Sequence, residues 1–74
     1  MTQIKKEIKA RARLARGLTN GLEYDVDCLY SDVENFDIFC INESIKETKE
    51  TMKKLIDNLD ELERLLYLIK VAKD

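Results

Sequence analysis

From Ile45 to Ile69 the residues Ile45, Thr48, Met52, Leu55, Leu59, Leu62, Leu66 and Ile69 recur at alternating steps of three and four. Such steps return to one side of an α-helix, and sustained over three repeats they form the heptad a/d stripe of a helix built to lie along another helix. A half-buried strand would need period two. The stripe therefore commits the C-terminal part of the chain to a long helix in search of a helical neighbour.

The start of that helix reads from Ser44-Ile45-Lys46-Glu47, a Ser-x-x-Glu capping box, and nothing breaks the run before about residue 73. A helix over about 45–73 spans roughly 43 Å. A compact fold of this length is only about 29 Å across. If the chain folds compactly, its own residues cannot cover the whole stripe, and a second copy is expected to cover the rest. With Ile45 at a, the flanking positions turn apolar at Ile56 and Leu65, and Leu65, Leu66, Tyr67, Leu68 and Ile69 leave little polar surface. The expected oligomerisation core is Met52, Leu55, Leu59, Leu62, Leu65, Leu66 and Ile69.

Upstream, the only glycines are Gly17 and Gly21, and proline is absent. Gly17 is suited to end a helix in the left-handed conformation. Asn20-Gly21-Leu22-Glu23 then resembles a capping box with an Asx cap. The apolar positions Ile4, Ile8, Ala12, Ala15 and Leu18 predict a first helix at about 3–17, and Leu22, Val26, Leu29, Val33, Phe36 and Cys40 predict a second at about 21–40. The expected fold is all-α, one small domain over residues 1–74, with three helices in a small bundle and a long coiled-coil-like helix at its C-terminal end, dimeric. An intrachain three-helix bundle is the bland alternative. Another is a helix–strand–strand–helix (α-β-β-α) chain with a hairpin at about 22–41. There Leu22, Tyr24, Val26 and Cys28 alternate with acids, and a turn at Ser31 to Asn35 sets Cys28 opposite Cys40.

A chain of 74 residues buries only a modest core, and small domains compensate with disulfides, a metal or oligomerisation. Two cysteines and no histidine disfavour the first two. No run approaches the roughly 18 apolar residues of a membrane span. The expectation is a cytoplasmic protein without membrane contact, its Cys28 and Cys40 reduced.

The net charge of −2 conceals a segregated distribution. Residues 1–18 carry Lys5, Lys6, Lys9, Arg11, Arg13 and Arg16 against Glu7, a balance of +5. Residues 19–43 carry Glu23, Asp25, Asp27, Asp32, Glu34, Asp37 and Glu43 with no base, a balance of −7, and residues 44–74 are neutral. Lys6, Lys9, Arg13 and Arg16 form one helical stripe, a candidate face for an anionic partner such as a phosphate backbone. The acids Glu23, Asp25, Asp27 and Asp32, interleaved with Tyr24 and Tyr30 and followed by the aromatics Phe36 and Phe39, are a candidate face for a basic protein surface. In each case a solvated helix face is the plainer alternative.

Nothing in the chain points to catalysis. The commonest general base is absent, Ser31 and Ser44 lack an activating motif, and no glycine-rich phosphate loop occurs. Paired carboxylates such as Asp25 and Asp27, or Asp60 and Glu61, have too little core around them to be tuned as a dyad. The chain is expected to be a non-enzymatic interaction protein that takes no cofactor, metal or small-molecule substrate. A small accessory regulator or inhibitor of the kind phages and mobile elements encode fits this size, binding a host protein as a dimer. A nucleic-acid-binding regulator using the basic first helix is the alternative.

Overall fold

In a computed structural model, which describes residues 2–73, the chain is two long antiparallel helices. Helix α1 spans Thr2–Asn35 and helix α2 spans Ile38–Lys73, and Phe36 and Asp37 make the turn between them. Thirty-six residues at about 1.5 Å each give roughly 54 Å, which matches the 56 Å long axis. The other two dimensions are only 15 and 12 Å, and the radius of gyration is 16.9 Å where a compact fold of this length has about 11 Å. The long helix is thus accommodated by an extended hairpin in place of a compact bundle.

This corrects the three-helix expectation and its strand alternative. The predicted boundary at residues 17–21 does not exist: Gly17 and Gly21 lie inside α1 with ordinary negative φ, as does Asn20 of the supposed cap. Each glycine costs the helix about 1 kcal/mol relative to alanine. That is small against the cooperative gain of packing both ends of α1 on the same partner. The predicted second helix at 21–40 is likewise split, its first part belonging to α1 and its last three residues opening α2. The 22–41 hairpin of strands is helical on both sides, and there are no strands among the described residues.

The predicted start at Ser44 also fails, since Ser44 lies well inside α2. Its hydroxyl, far from capping a free helix end, donates to the Asp32 carboxylate on α1.

The reversal, at Phe36 and Asp37, directly follows the Ser31–Asn35 segment of the strand alternative and uses no glycine or proline. Phe36 takes the left-handed conformation, with φ 53°. Its N–H donates to the Val33 carbonyl (3.1 Å) and the Asp37 N–H to the Asp32 carbonyl (3.4 Å). This is the paired 5→2 and 6→1 closure of a Schellman motif. Asp37 then caps α2, its Oδ1 accepting the Cys40 N–H at 3.2 Å while its carbonyl accepts the Ile41 N–H at 2.9 Å. One residue ends the first helix and the next begins the second.

The seam where the helices meet follows a heptad on each. On α1 it runs Ile4, Ile8, Arg11, Ala15, Leu18, Leu22, Asp25, Leu29, Asp32, and on α2 it runs Ile41, Ser44, Thr48, Thr51, Leu55, Asn58, Leu62, Leu65, Ile69. Half of the predicted stripe, Thr48, Leu55, Leu62 and Ile69, lies in this seam. The other half, Ile45, Met52, Leu59 and Leu66, is exposed, and Ser44, Thr51, Asn58 and Leu65 take its place. At 100° per residue the true seam is rotated about 50° around α2 from the apolar stripe.

Polar partners explain the rotation. Thr51 donates to the Asp25 carboxylate at 2.6 Å, Ser44 to Asp32, and Asn58 Nδ2 to the Arg11 carbonyl at 2.8 Å, while the Arg11 guanidinium donates to Asn58 Oδ1 at 3.3 Å. These pairs set the register. A one-heptad slide would put Asn58, only 3% exposed, against Ile4 or Leu18 with its amide unpaired, at a cost of about 1–3 kcal/mol. Leu65, at 1% exposure, is the only fully buried large hydrophobic residue among those described.

Candidate functional site

A seam rich in hydrogen bonds leaves large apolar side chains on the outside, and the heptad fixes which side. On α2 the residues just past the seam are Ile45, Met52, Leu59 and Leu66, all exposed, with Ile56 one step further round at 54%. The corresponding positions on α1 are Lys5, Ala12, Thr19, Val26 and Val33, with Tyr30 beyond them. Two antiparallel helices are related by a two-fold axis perpendicular to their common plane, so equivalent heptad positions fall on the same side of the hairpin. Val26, Val33, Ile45, Met52, Leu59 and Leu66 therefore share one flank, and they form an apolar band along its length.

The opposite flank differs in kind. It carries Glu7, Leu14 and Cys28 from α1 beside Glu47, Lys54, Glu61 and Leu68 from α2. A shallow open depression there is lined by Arg11, Leu14, Leu18, Lys54, Asp57 and Asn58. Its charges influence one another. Glu61 is held below the usual carboxylate range, chiefly by the hydrogen-bonded Arg64 guanidinium on the same helix and also by Arg11 across the seam. Tyr24 is raised, chiefly through its hydrogen bond with Cys28, with smaller contributions from Asp25 and Glu47. This flank suits water.

The turn forms a second apolar surface. Phe36, Ile38 and Phe39 are 76%, 67% and 73% exposed. Phe36 is held where a non-glycine residue costs about 1–2 kcal/mol, although it buries little in return. Strained backbone combined with an exposed aromatic side chain is a pattern of functional surfaces. The carboxylate of Asp37 beneath it is engaged with the Cys40 backbone, and hydrogen bonding to Asp37 also raises the Cys40 thiol.

The sequence-derived candidates distribute unevenly over these surfaces. The oligomerisation set divides: Leu55, Leu62, Leu65 and Ile69 face α1, whereas Met52, Leu59 and Leu66 lie on the apolar flank. Lys6, Lys9, Arg13 and Arg16 are all exposed along the outer side of α1 and form no ion pair among the described residues. Of the acidic face, Glu23, Asp27, Tyr24 and Tyr30 are exposed, but Asp25 and Asp32 are turned into the seam and spent on Thr51 and Ser44. Phe36 and Phe39, expected among the aromatics of the acidic face, stand exposed at the apex with Ile38, and what the sequence did not reveal is the turn that puts them there. Its signal was Asp37 ahead of an apolar run, an N-cap pattern that the stronger-looking Ser44 box concealed.

Among the described residues no group of three or more carboxylates and thiols stands close enough to hold a metal ion, and no helix is long and apolar enough to cross a membrane. Fold and surfaces together define an antiparallel helical hairpin whose apolar seam is interrupted by hydrogen-bonded polar pairs and whose outward flank carries large apolar side chains. Compared with models of known families, with curated proteins and with solved structures, the chain matches none.

Proposed function

We propose that this chain is a non-enzymatic protein–protein interaction module, a small regulator or inhibitor that works as a dimer and engages a second protein. One observation carries the reading: the chain places Arg11, Asp25, Asp32, Ser44, Thr51 and Asn58 between its helices and displays Ile45, Met52, Ile56, Leu59, Leu66, Phe36 and Phe39 outside. Apolar side chains left outside a seam that admits polar ones are costly for a free hairpin in water and favourable once partners cover them. Aromatic anchors rimmed by charge are the usual centre of a protein interface. The apex supplies Phe36 and Phe39 in the acidic part of the chain, which suits a basic partner surface with an apolar recess.

The test is capture of a partner from host lysate on the immobilised chain, compared with Phe36→Ser/Phe39→Ser and Glu23→Lys/Asp27→Lys. These positions are exposed, so both variants keep the hairpin. Loss of a specific partner from both supports the reading, and equal capture by all three chains refutes the apex as the surface. A second reading rests on the exposed basic stripe Lys6, Lys9, Arg13 and Arg16, which suits a nucleic-acid backbone. Four phosphate contacts would make the affinity fall about 100-fold between 50 and 200 mM salt. Salt-insensitive binding, or none, removes that reading.

A further inference from the structure

We propose that the apolar flank is covered by the same flank of a second copy lying antiparallel to the first, the apex of one hairpin beside the open end of the other. The result is a four-helix bundle in which α2 packs on α2 and α1 on α1. This rests on the dimeric reading above and gives it a face and a direction.

Area is the first argument. The hairpin exposes 6031 Å², where a compact monomer of its mass exposes about 4,700 Å². The surplus of about 1,300 Å² exceeds the roughly 800 Å² each partner contributes to a stable interface. The flank has the right shape for so large a contact: a continuous band from Val33 and Ile45 near the apex to Leu66 near the open end, on a molecule 56 Å long.

Charge supplies the direction. Residues 19–54, the apex half, carry nine acids against Lys46, Lys49, Lys53 and Lys54, a balance of −5. The open half, residues 1–18 and 55–74, balances at +3. Two hairpins with their apices together would stack −5 on −5. The antiparallel arrangement sets each acidic half beside a basic one, and like-charge juxtaposition is what selects against the wrong pairing. On the opposite flank Leu14 and Leu68 stand apart among Glu7, Glu47, Lys54 and Glu61 and form no comparable apolar band.

Two measurements on the full chain test the proposal. Sedimentation equilibrium compares the chain with Leu59→Glu, on the proposed interface, and Leu14→Glu, equally exposed on the other flank, with helicity followed by circular dichroism. Leu59→Glu is expected to weaken the dimer at least tenfold, and Leu14→Glu to leave it unchanged. A spin label on Cys40 in a Cys28→Ser chain then reads the direction. Antiparallel hairpins hold the two labels about 45 Å apart, whereas parallel hairpins bring them within about 25 Å. A dimer insensitive to Leu59→Glu overturns the face while leaving a dimer in place. A short label distance overturns the direction. A monomer at every concentration, including one whose flank is covered only by another protein, overturns both this inference and the dimeric reading. Should Leu59→Glu unfold the chain, the label distance still decides, because it needs no substitution on the flank.

Discussion

Gly17 and Gly21 offer a test of the continuous α1, because the sign of the effect depends on whether the helix passes through them. Both are exposed, neither has a positive φ, and a Cβ added at either position meets nothing within 4 Å. Alanine there should therefore gain the full difference in helix propensity, about 0.8–1 kcal/mol per site. Neither position belongs to the seam or the apolar flank, so the double variant should gain close to 2 kcal/mol, subject to mild coupling between sites one turn apart. For a chain of this size the melting temperature should rise by about 10 °C. The assay is thermal and urea unfolding by circular dichroism at fixed protein concentration, since association would make the midpoint concentration-dependent. Had Gly17 closed a first helix in the left-handed conformation, alanine would cost about 1–2 kcal/mol at that site. A lowered melting temperature for Gly17→Ala would refute the unbroken helix.

Further substitutions probe the turn, the seam and the thiol. Phe36→Gly should stabilise the chain by about 1 kcal/mol in urea titration, because glycine adopts the left-handed turn without strain, and it should at the same time weaken partner capture. Asn58→Ala should cost about 1–3 kcal/mol by the same measurement, because it removes two hydrogen bonds to Arg11 from the most enclosed polar position of the seam. Cys40 should be alkylated by iodoacetamide with a pH midpoint above that of an ordinary thiol, since hydrogen bonding to Asp37 and the nearby carboxylates favour its protonated form. Asp37→Asn keeps a good helix cap but removes the charge, so the midpoint should fall while the helicity is retained.

Helicity was legible in the sequence because heptad spacing is a local property. Periodicity put Thr48, Leu55, Leu62 and Ile69 on one helical stripe, but the last three were expected to meet a second copy, whereas all four face α1. Ser44, Thr51 and Asn58 were not legible as seam residues, because their partners Asp32, Asp25 and Arg11 stand 12, 26 and 47 residues away and polar residues do not register as a stripe. Apolarity therefore marked the flank, and long-range hydrogen bonds chose the seam. The single turn was hidden for a related reason. Glycine suggests a break only when the helix gains nothing by continuing, and at Gly17 and Gly21 it gains a partner on both sides. At Phe36 the break is dictated by the Asp32, Val33 and Asp37 backbone bonds, with no glycine or proline to announce it. The acidic face was half legible: composition identified its carboxylates but not which of them the fold consumes.

Sedimentation equilibrium of the intact chain from low micromolar to near-millimolar concentration bears most directly on the claim that this hairpin turns its apolar side outward to meet a partner. The expected result is twice the 8.7 kDa chain mass, shifting to the monomer mass in Leu59→Glu. A well-folded, helical monomer of 8.7 kDa at every concentration would contradict it.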